Sequence, residues 1–274
     1  MTELSGVLQG ICDTHIHVYD PARFALQGKA TSPPHATWSD YLALRADLGL
    51  SRAVIVQAVG YGFDNRCTLD ALEQAKGCAR AILTLPVNVA DTQLQTWDDQ
   101  GVRGVRFMMI PGVQNLLTWD DLPVLATRIA PWQWTINLQL DGRTLAQYES
   151  MLDRLPCPLV IDHTAKFLEP VGLDHSGWQA LCRLMDTGRV WVKLSAPYET
   201  SRTGAPDYRD VATLARELAR LYPQRCLWAS NWPHPGQAAR PDERALLTLM
   251  HDWAGDQNGL QRILVDNPAA LYRF

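Results

Sequence analysis

Eight short apolar, β-branched runs recur along this chain, at residues 10–13, 53–58, 81–87, 104–109, 135–140, 159–162, 190–194 and 225–229, with helical-period stretches between them. Strands that alternate with helices imply a parallel sheet with right-handed crossovers. Eight such units in 274 residues with 47% apolar content predict an α/β chain closed as a single (β/α)8 TIM-type barrel, with 1–274 read as one domain. A doubly wound open sheet is the alternative, but no GxGxxG follows the first run. The helical stretches carry their own punctuation. In TWSDYLALRADLGL, Thr37 and Asp40 form a capping-box pattern, Tyr41, Leu44 and Leu48 share a face, and Gly49 supplies a stop. Leu145, Tyr148, Leu152 and Leu155 share another face, as do Val211, Leu214, Leu218 and Leu221. In NPAALYRF, Asn267 is placed to cap and Pro268 to open a short closing helix. The Pro- and Gly-rich patches at 32–34, 111–113, 203–206 and 233–236 read as loops of the functional face.

A net charge of −4 offers no basic face for nucleic acid or an anionic membrane, which leaves small molecules as partners. The start, MTELSGVLQG, has no basic segment followed by an apolar one, and no run reaches membrane-spanning length. A cytoplasmic location is expected. Cys12, Cys67, Cys78, Cys157, Cys182 and Cys226 lack CxxC spacing and read as reduced core thiols.

In a closed barrel the polar residues that end each strand converge on one face. The first run ends in Asp13, His15 and His17, with the two histidines on one side of an extended chain. Arg106 ends the fourth, Asn137 and Gln139 the fifth, Asp162 and His163 the sixth, Lys193 and Ser195 the seventh, and Asn231 and His234 the eighth. Four of the seven histidines thus sit at strand ends, which as a set favours a site.

These residues carry a family resemblance. CDTHIHVYDPARF, VIVQAVGYGFDN, GVRGVRF, VIDH, WVKLS, WPHP and RILVDNPAALY resemble, nearly end to end, the lactonase group in the compact amidohydrolase-related branch of the amidohydrolase superfamily. Zinc-holding members of that superfamily use both HxH histidines, histidines on strands five and six, an aspartate on strand eight and sometimes a lysine on strand four. This chain has His15, His17 and His163, but Gln139 on strand five, Arg106 on strand four and Asn231 on strand eight. An amide is a poor substitute for a carboxylate at a dication. No cofactor is therefore expected, beyond weak or adventitious zinc at His15, His17 and His163.

Asn231 also cannot deprotonate water as the hydrolases' aspartate does. The resemblance then implies an enzyme that isomerises an aldarolactone, a sugar-acid lactone of the D-galactaro-1,5-lactone type, to the 1,4-lactone. The substrate's own C4 hydroxyl would attack C1, and intramolecular attack needs less activation. His15, His17, His163, Asn231 and His234 are the catalytic candidates. One imidazole is expected to be protonated and to stabilise the oxyanion, and His163 or His234 is expected to move the proton. Arg106, Lys166 and Arg202 are the cations available for a free carboxylate. Gln139, Ser195 and Tyr61, with Gln57 and Asn137, are candidates for hydroxyl contacts. Gly112 and Glu199 stand where pyrone-dicarboxylate members are expected to carry arginine. The alternatives are a lactone hydrolase in which Asn231 is an engineered replacement of aspartate, a metal-dependent hydrolase or decarboxylase, and a binding protein on the same scaffold.

Overall fold

The computed structural model describes residues 8–27, 35–113 and 116–274. The start at 1–7 and the loop at 32–34 lie outside the described residues. Eight parallel strands follow one another around the sheet in chain order: β1 Cys12–Ile16, β2 Arg52–Val56, β3 Ala79–Leu83, β4 Val102–Met108, β5 Thr135–Gln139, β6 Leu159–Ile161, β7 Val190–Ser195 and β8 Cys226–Ala229. One long helix follows each: α1 Trp38–Asp47, α2 Arg66–Gln74, α3 Asp91–Gln100, α4 Asp121–Ile129, α5 Leu145–Asp153, α6 Ser176–Asp186, α7 Arg209–Leu221 and α8 Glu243–Trp253. The sheet closes where β8 meets β1. Ile16 bridges Trp232 in parallel, Asn231 N–H donates to His15 O at 3.0 Å, and His17 N–H donates to Trp232 O at 2.8 Å. The result is the (β/α)8 barrel, and closure itself brings His15, His17 and Asn231 together.

Local sequence explains several of these elements. Thr37 caps α1 reciprocally: its hydroxyl accepts from Asp40 N–H, and the Asp40 carboxylate accepts from Thr37 N–H at 2.8 Å. Gly49 follows at φ +68, the left-handed conformation that ends the helix. Thr37→Ala is expected to cost about 1 kcal/mol in urea unfolding, because it removes this reciprocal cap. Gly104 in β4 has a different reason. A Cβ there would stand 2.5 Å from Thr135 O, so glycine lets β4 lie close to β5 and sets Arg106 opposite Asn137.

Two expectations need correction. β3 ends at Leu83 rather than 87; beyond it, Thr84 N–H turns to the Asn65 side chain at 3.1 Å, and Pro86 has no N–H for a ladder. Asn267 does not cap. It continues a helical run from Gln257–Gln261 through a π turn at Arg262–Asp266 into Asn267–Tyr272. Its amide instead donates to Pro223 O and Cys226 O at 2.8 and 2.7 Å, which pins the approach to β8.

Apolar side chains fill the shell between sheet and helices, and a second cluster closes the barrel's lower end, where Tyr272 packs against Cys12, Val54, Ile82, Val160 and Leu227. All six cysteines are free. No described helix is long and apolar enough to cross a membrane.

Candidate functional site

The upper end of the barrel gathers an unusual density of buried polar groups. His15, His17 and His163 are all buried, with the His15 ring 4.8 Å from His17 and 4.9 Å from His163, centroid to centroid. His17 Nδ1 lies 2.8 Å from Val56 O, and its Nε2 lies 3.2 Å from His15 Nε2. His15 Nδ1 lies 3.1 Å from Lys193 Nζ. Lys193 also donates to Asn137 Oδ1 at 3.0 Å and stands 3.0 Å from Asp162 Oδ1. That last contact is an ion pair off the direction of a hydrogen bond, so both Asp162 oxygens remain without a donor. Beneath them Asp13 ties β1 to β8, accepting from Ser230 Oγ, Ser230 N and Tyr41 OH at 2.6, 2.9 and 3.2 Å.

Burial and neighbouring cations set the charge states here. The imidazoles of His15 and His163 are held well below the ordinary histidine range, by burial first, then by Lys193 for His15 and by the other imidazole for His163. His17 is pushed down to about 3 by burial and Arg106. Burial thus acts against the protonated imidazole expected from the sequence, at all three positions. Burial pushes Asp13 up to about 6 against its hydrogen bonds. For Asp162 burial acts the same way, but Lys193, then His163 and Arg106, outweigh it and hold the carboxyl below its usual range.

Arg106 reaches this cluster from β4. It is buried, donates to Gln57 O at 2.6 Å and Gln139 Oε1 at 3.0 Å, and leaves Nε without a partner. Among the described residues no carboxylate pairs with it. It lies in a pocket walled by Val59, Thr84, Met108, Leu116 and Leu117, so a buried cation faces an apolar recess.

The third side of the mouth comes from the loops after β6, β7 and β8. His163 accepts from or donates to Ser195 Oγ through Nδ1 at 2.9 Å, and its Nε2 takes no partner among the described residues. Lys166 pairs with Glu199. Asn231 Nδ2 donates to Tyr198 OH at 2.9 Å and approaches Glu199 Oε1 at 3.4 Å, while Asn231 Oδ1 is buried and unpartnered. Tyr198 OH meets His234 Nδ1 at 2.8 Å, and His234 Nε2 meets Glu243 Oε1 at 3.1 Å. His163, Asn231 and His234 all have φ near +60, a strained conformation for a non-glycine residue and one that concentrates at functional sites.

The convergence read from strand ends is thus present for His15, His17, His163, Arg106 and Asn231. Gln139 and Ser195 are there too, but each is engaged with a neighbour, Gln139 with Arg106 and Ser195 with His163. Gln57 and Asn137 are likewise committed, to loop carbonyls and to Lys193. His234 is buried with both ring nitrogens occupied. Two candidates fall away. Tyr61 is fully buried, its hydroxyl accepting from Asp20 N–H at 2.9 Å, so it props a loop. Arg202 is exposed and faces Glu169 at 3.4 Å. Lys166 keeps its place at the mouth, but Glu199 neutralises its charge. Asp162, Lys193, Glu199 and Tyr198 join the site without a role read from the sequence; strand-end position marks Asp162 and Lys193, and nothing in the sequence marks Tyr198.

A dication fits this arrangement poorly. The candidate ligand atoms of His15, Asp162 and His163 lie within 4.8 Å of one another. Yet the Lys193 ammonium stands at contact distance from two of the three, and like charges that close repel strongly in a buried site. Asn231 brings no negative charge.

Comparison with known proteins gives the same outline. The family described as Amidohydrolase matches residues 12–274. The chain is 34% identical to a 2-pyrone-4,6-dicarboxylate hydrolase of Comamonas testosteroni, over 96% of this chain and 90% of that protein. It is 32% identical to a D-galactarolactone isomerase of Agrobacterium fabrum, over 97% of this chain and 92% of that one. An apo crystal structure from Agrobacterium tumefaciens superposes with a TM-score of 0.90, at 31% identity and 97% coverage of both chains.

Proposed function

The chain belongs to the amidohydrolase family, and on that premise we propose that it isomerises a six-carbon sugar-diacid lactone, taking a substrate of the galactaro-1,5-lactone type to the 1,4-lactone without a metal. Relatives at similar identity include a lactone isomerase and a lactone hydrolase, so a lactone-converting enzyme is the common ground. One observation supports the isomerase reading: position 231 holds a buried neutral amide with its Oδ1 free. An amide oxygen orients a hydroxyl by accepting its hydrogen bond, but it takes no proton from water.

The substrate must therefore supply its own nucleophile. Its C4 hydroxyl, held by Asn231 Oδ1, attacks C1. His163 Nε2 takes the hydroxyl proton, its ring oriented through Nδ1 by Ser195. The C1–O5 bond breaks, and His163 returns the proton to O5. No water enters, and effective molarities of roughly 10⁵ M or more for well-oriented intramolecular attack offset the weak base. His234 is a poorer shuttle, with both nitrogens held by Tyr198 and Glu243. The second carboxylate of the substrate lies on Arg106, the buried cation that no carboxylate pairs with among the described residues. Arg106→Met is expected to lower kcat/KM roughly 10- to 100-fold, mostly through KM, as a charge-assisted hydrogen bond contributes about 1.5–3 kcal/mol.

An NMR time course with freshly made galactaro- and glucaro-1,5-lactones tests the reading. Conversion to the 1,4-lactone supports it; the open diacid as sole product overturns it. A second reading, hydrolysis, is favoured by one observation: the Glu199 carboxylate lies 3.4 Å from Asn231 Nδ2, where a base for water would be needed.

A further inference from the structure

We propose that Lys193 is the resident cation of this site, a positioning residue that occupies the hollow between His15, Asp162 and Asn137 and fixes His15 as the tautomer with its proton on Nε2. The hydrogen bonds determine this from two ends. At one end, Val56 O only accepts, so His17 Nδ1 carries a hydrogen. At the other, His15 Nδ1 has Lys193 Nζ at 3.1 Å and Asp162 Oδ1 at 3.4 Å; the carboxylate contact lies outside hydrogen-bond geometry and the nearer ammonium only donates, so His15 Nδ1 is bare. Between them, His15 Nε2 and His17 Nε2 face each other at 3.2 Å, and one must donate to the other. His15 has its hydrogen on Nε2 and His17 its lone pair there, with both rings neutral. An imidazolium at His17 would force His15 to put a hydrogen on Nδ1, pointing at the ammonium.

The same chain of contacts explains why the site resists a dication. A metal at His15 would need either the Nδ1 lone pair that Lys193 holds or an Nε2 stripped of its hydrogen. Both are blocked while the ammonium stays. Lys193 reaches the hollow from β7, is fully buried, and meets groups from β1, β5 and β6. It therefore supplies inside the barrel the positive charge that Asp162 requires. His15 Nε2–H is then committed to His17 Nε2, so the two rings are fixed relative to each other and to Val56 O at the edge of the reaction centre.

The inference deepens the metal-free lactone reading and rests on it for its catalytic meaning, yet its test uses no substrate, so the two fail separately. Two-bond ¹H–¹⁵N spectra of the full chain at neutral pH should show His15 as the Nε2–H tautomer and His17 as the Nδ1–H tautomer. His15 as the Nδ1–H tautomer, or as an imidazolium, overturns the proposal. The companion experiment is thermal unfolding of the wild type and Lys193→Met with and without added zinc chloride. Zinc should raise the midpoint of the variant and leave the wild type unmoved, with zinc affinity gained roughly 10- to 100-fold, the scale on which a group touching a ligand tunes a metal site. An equal shift in both overturns it. Should Lys193→Met fail to fold, the wild-type spectra decide alone.

Discussion

Replacing His163 with glutamine is expected to lower kcat by roughly 10²- to 10⁴-fold, the usual contribution of a positioned general acid–base group, with little change in KM. Glutamine retains a polar end near Ser195 but cannot accept and return a proton. Substrate binding should survive, because the carboxylate is held by a different residue, Arg106. The neutral state of His163 matters to this outcome. Burial and His15 push its proton affinity down, and Nε2 offers its lone pair when Nδ1 donates to Ser195 Oγ. Steady-state kinetics of His163→Gln that leave kcat unchanged would move the proton transfer to another residue.

Asn231→Asp is expected to create a lactone hydrolase. A carboxylate at this position gains the one function the amide lacks, and a general base contributes roughly 10²- to 10⁴-fold to the step it serves. The open diacid should then accumulate at the expense of the 1,4-lactone. The change has a cost set by the surroundings. The new carboxylate replaces an amide that donates to Tyr198 OH at 2.9 Å and lies 3.4 Å from Glu199, so like-charge repulsion raises its proton affinity. Hydrolysis should accordingly grow as pH rises, once the added aspartate has ionised against Glu199. A variant that still yields only the 1,4-lactone would remove Asn231 from the account.

The barrel and much of its mouth were legible in the sequence because they depend on local pattern. Apolar runs mark the strands, the Thr37 and Asp40 pair marks a helix start, and closure of eight strands carries His15, His17, His163 and Asn231 to one end. Charge states were not legible in the same way. The lowered proton affinity of the imidazoles follows from burial first, with Lys193 acting on His15 and Arg106 on His17 from strands far along the chain. Lys193 itself was visible at a strand end, but its partners are 178 and 56 residues away at His15 and Asn137, and only the folded barrel brings them to contact. Tyr61 and Arg202 misled for the opposite reason. Both follow strands, yet loop geometry turns one into the core and the other to solvent.

The central claim is that the attacking oxygen belongs to the substrate. Turnover of a galactaro-1,5-lactone in H₂¹⁸O, stopped early and read by mass spectrometry, tests it most directly. Intramolecular migration predicts a 1,4-lactone that carries no solvent oxygen. A product labelled with ¹⁸O in its carboxyl or lactone carbonyl would show that water opened the ring first, and would contradict the account.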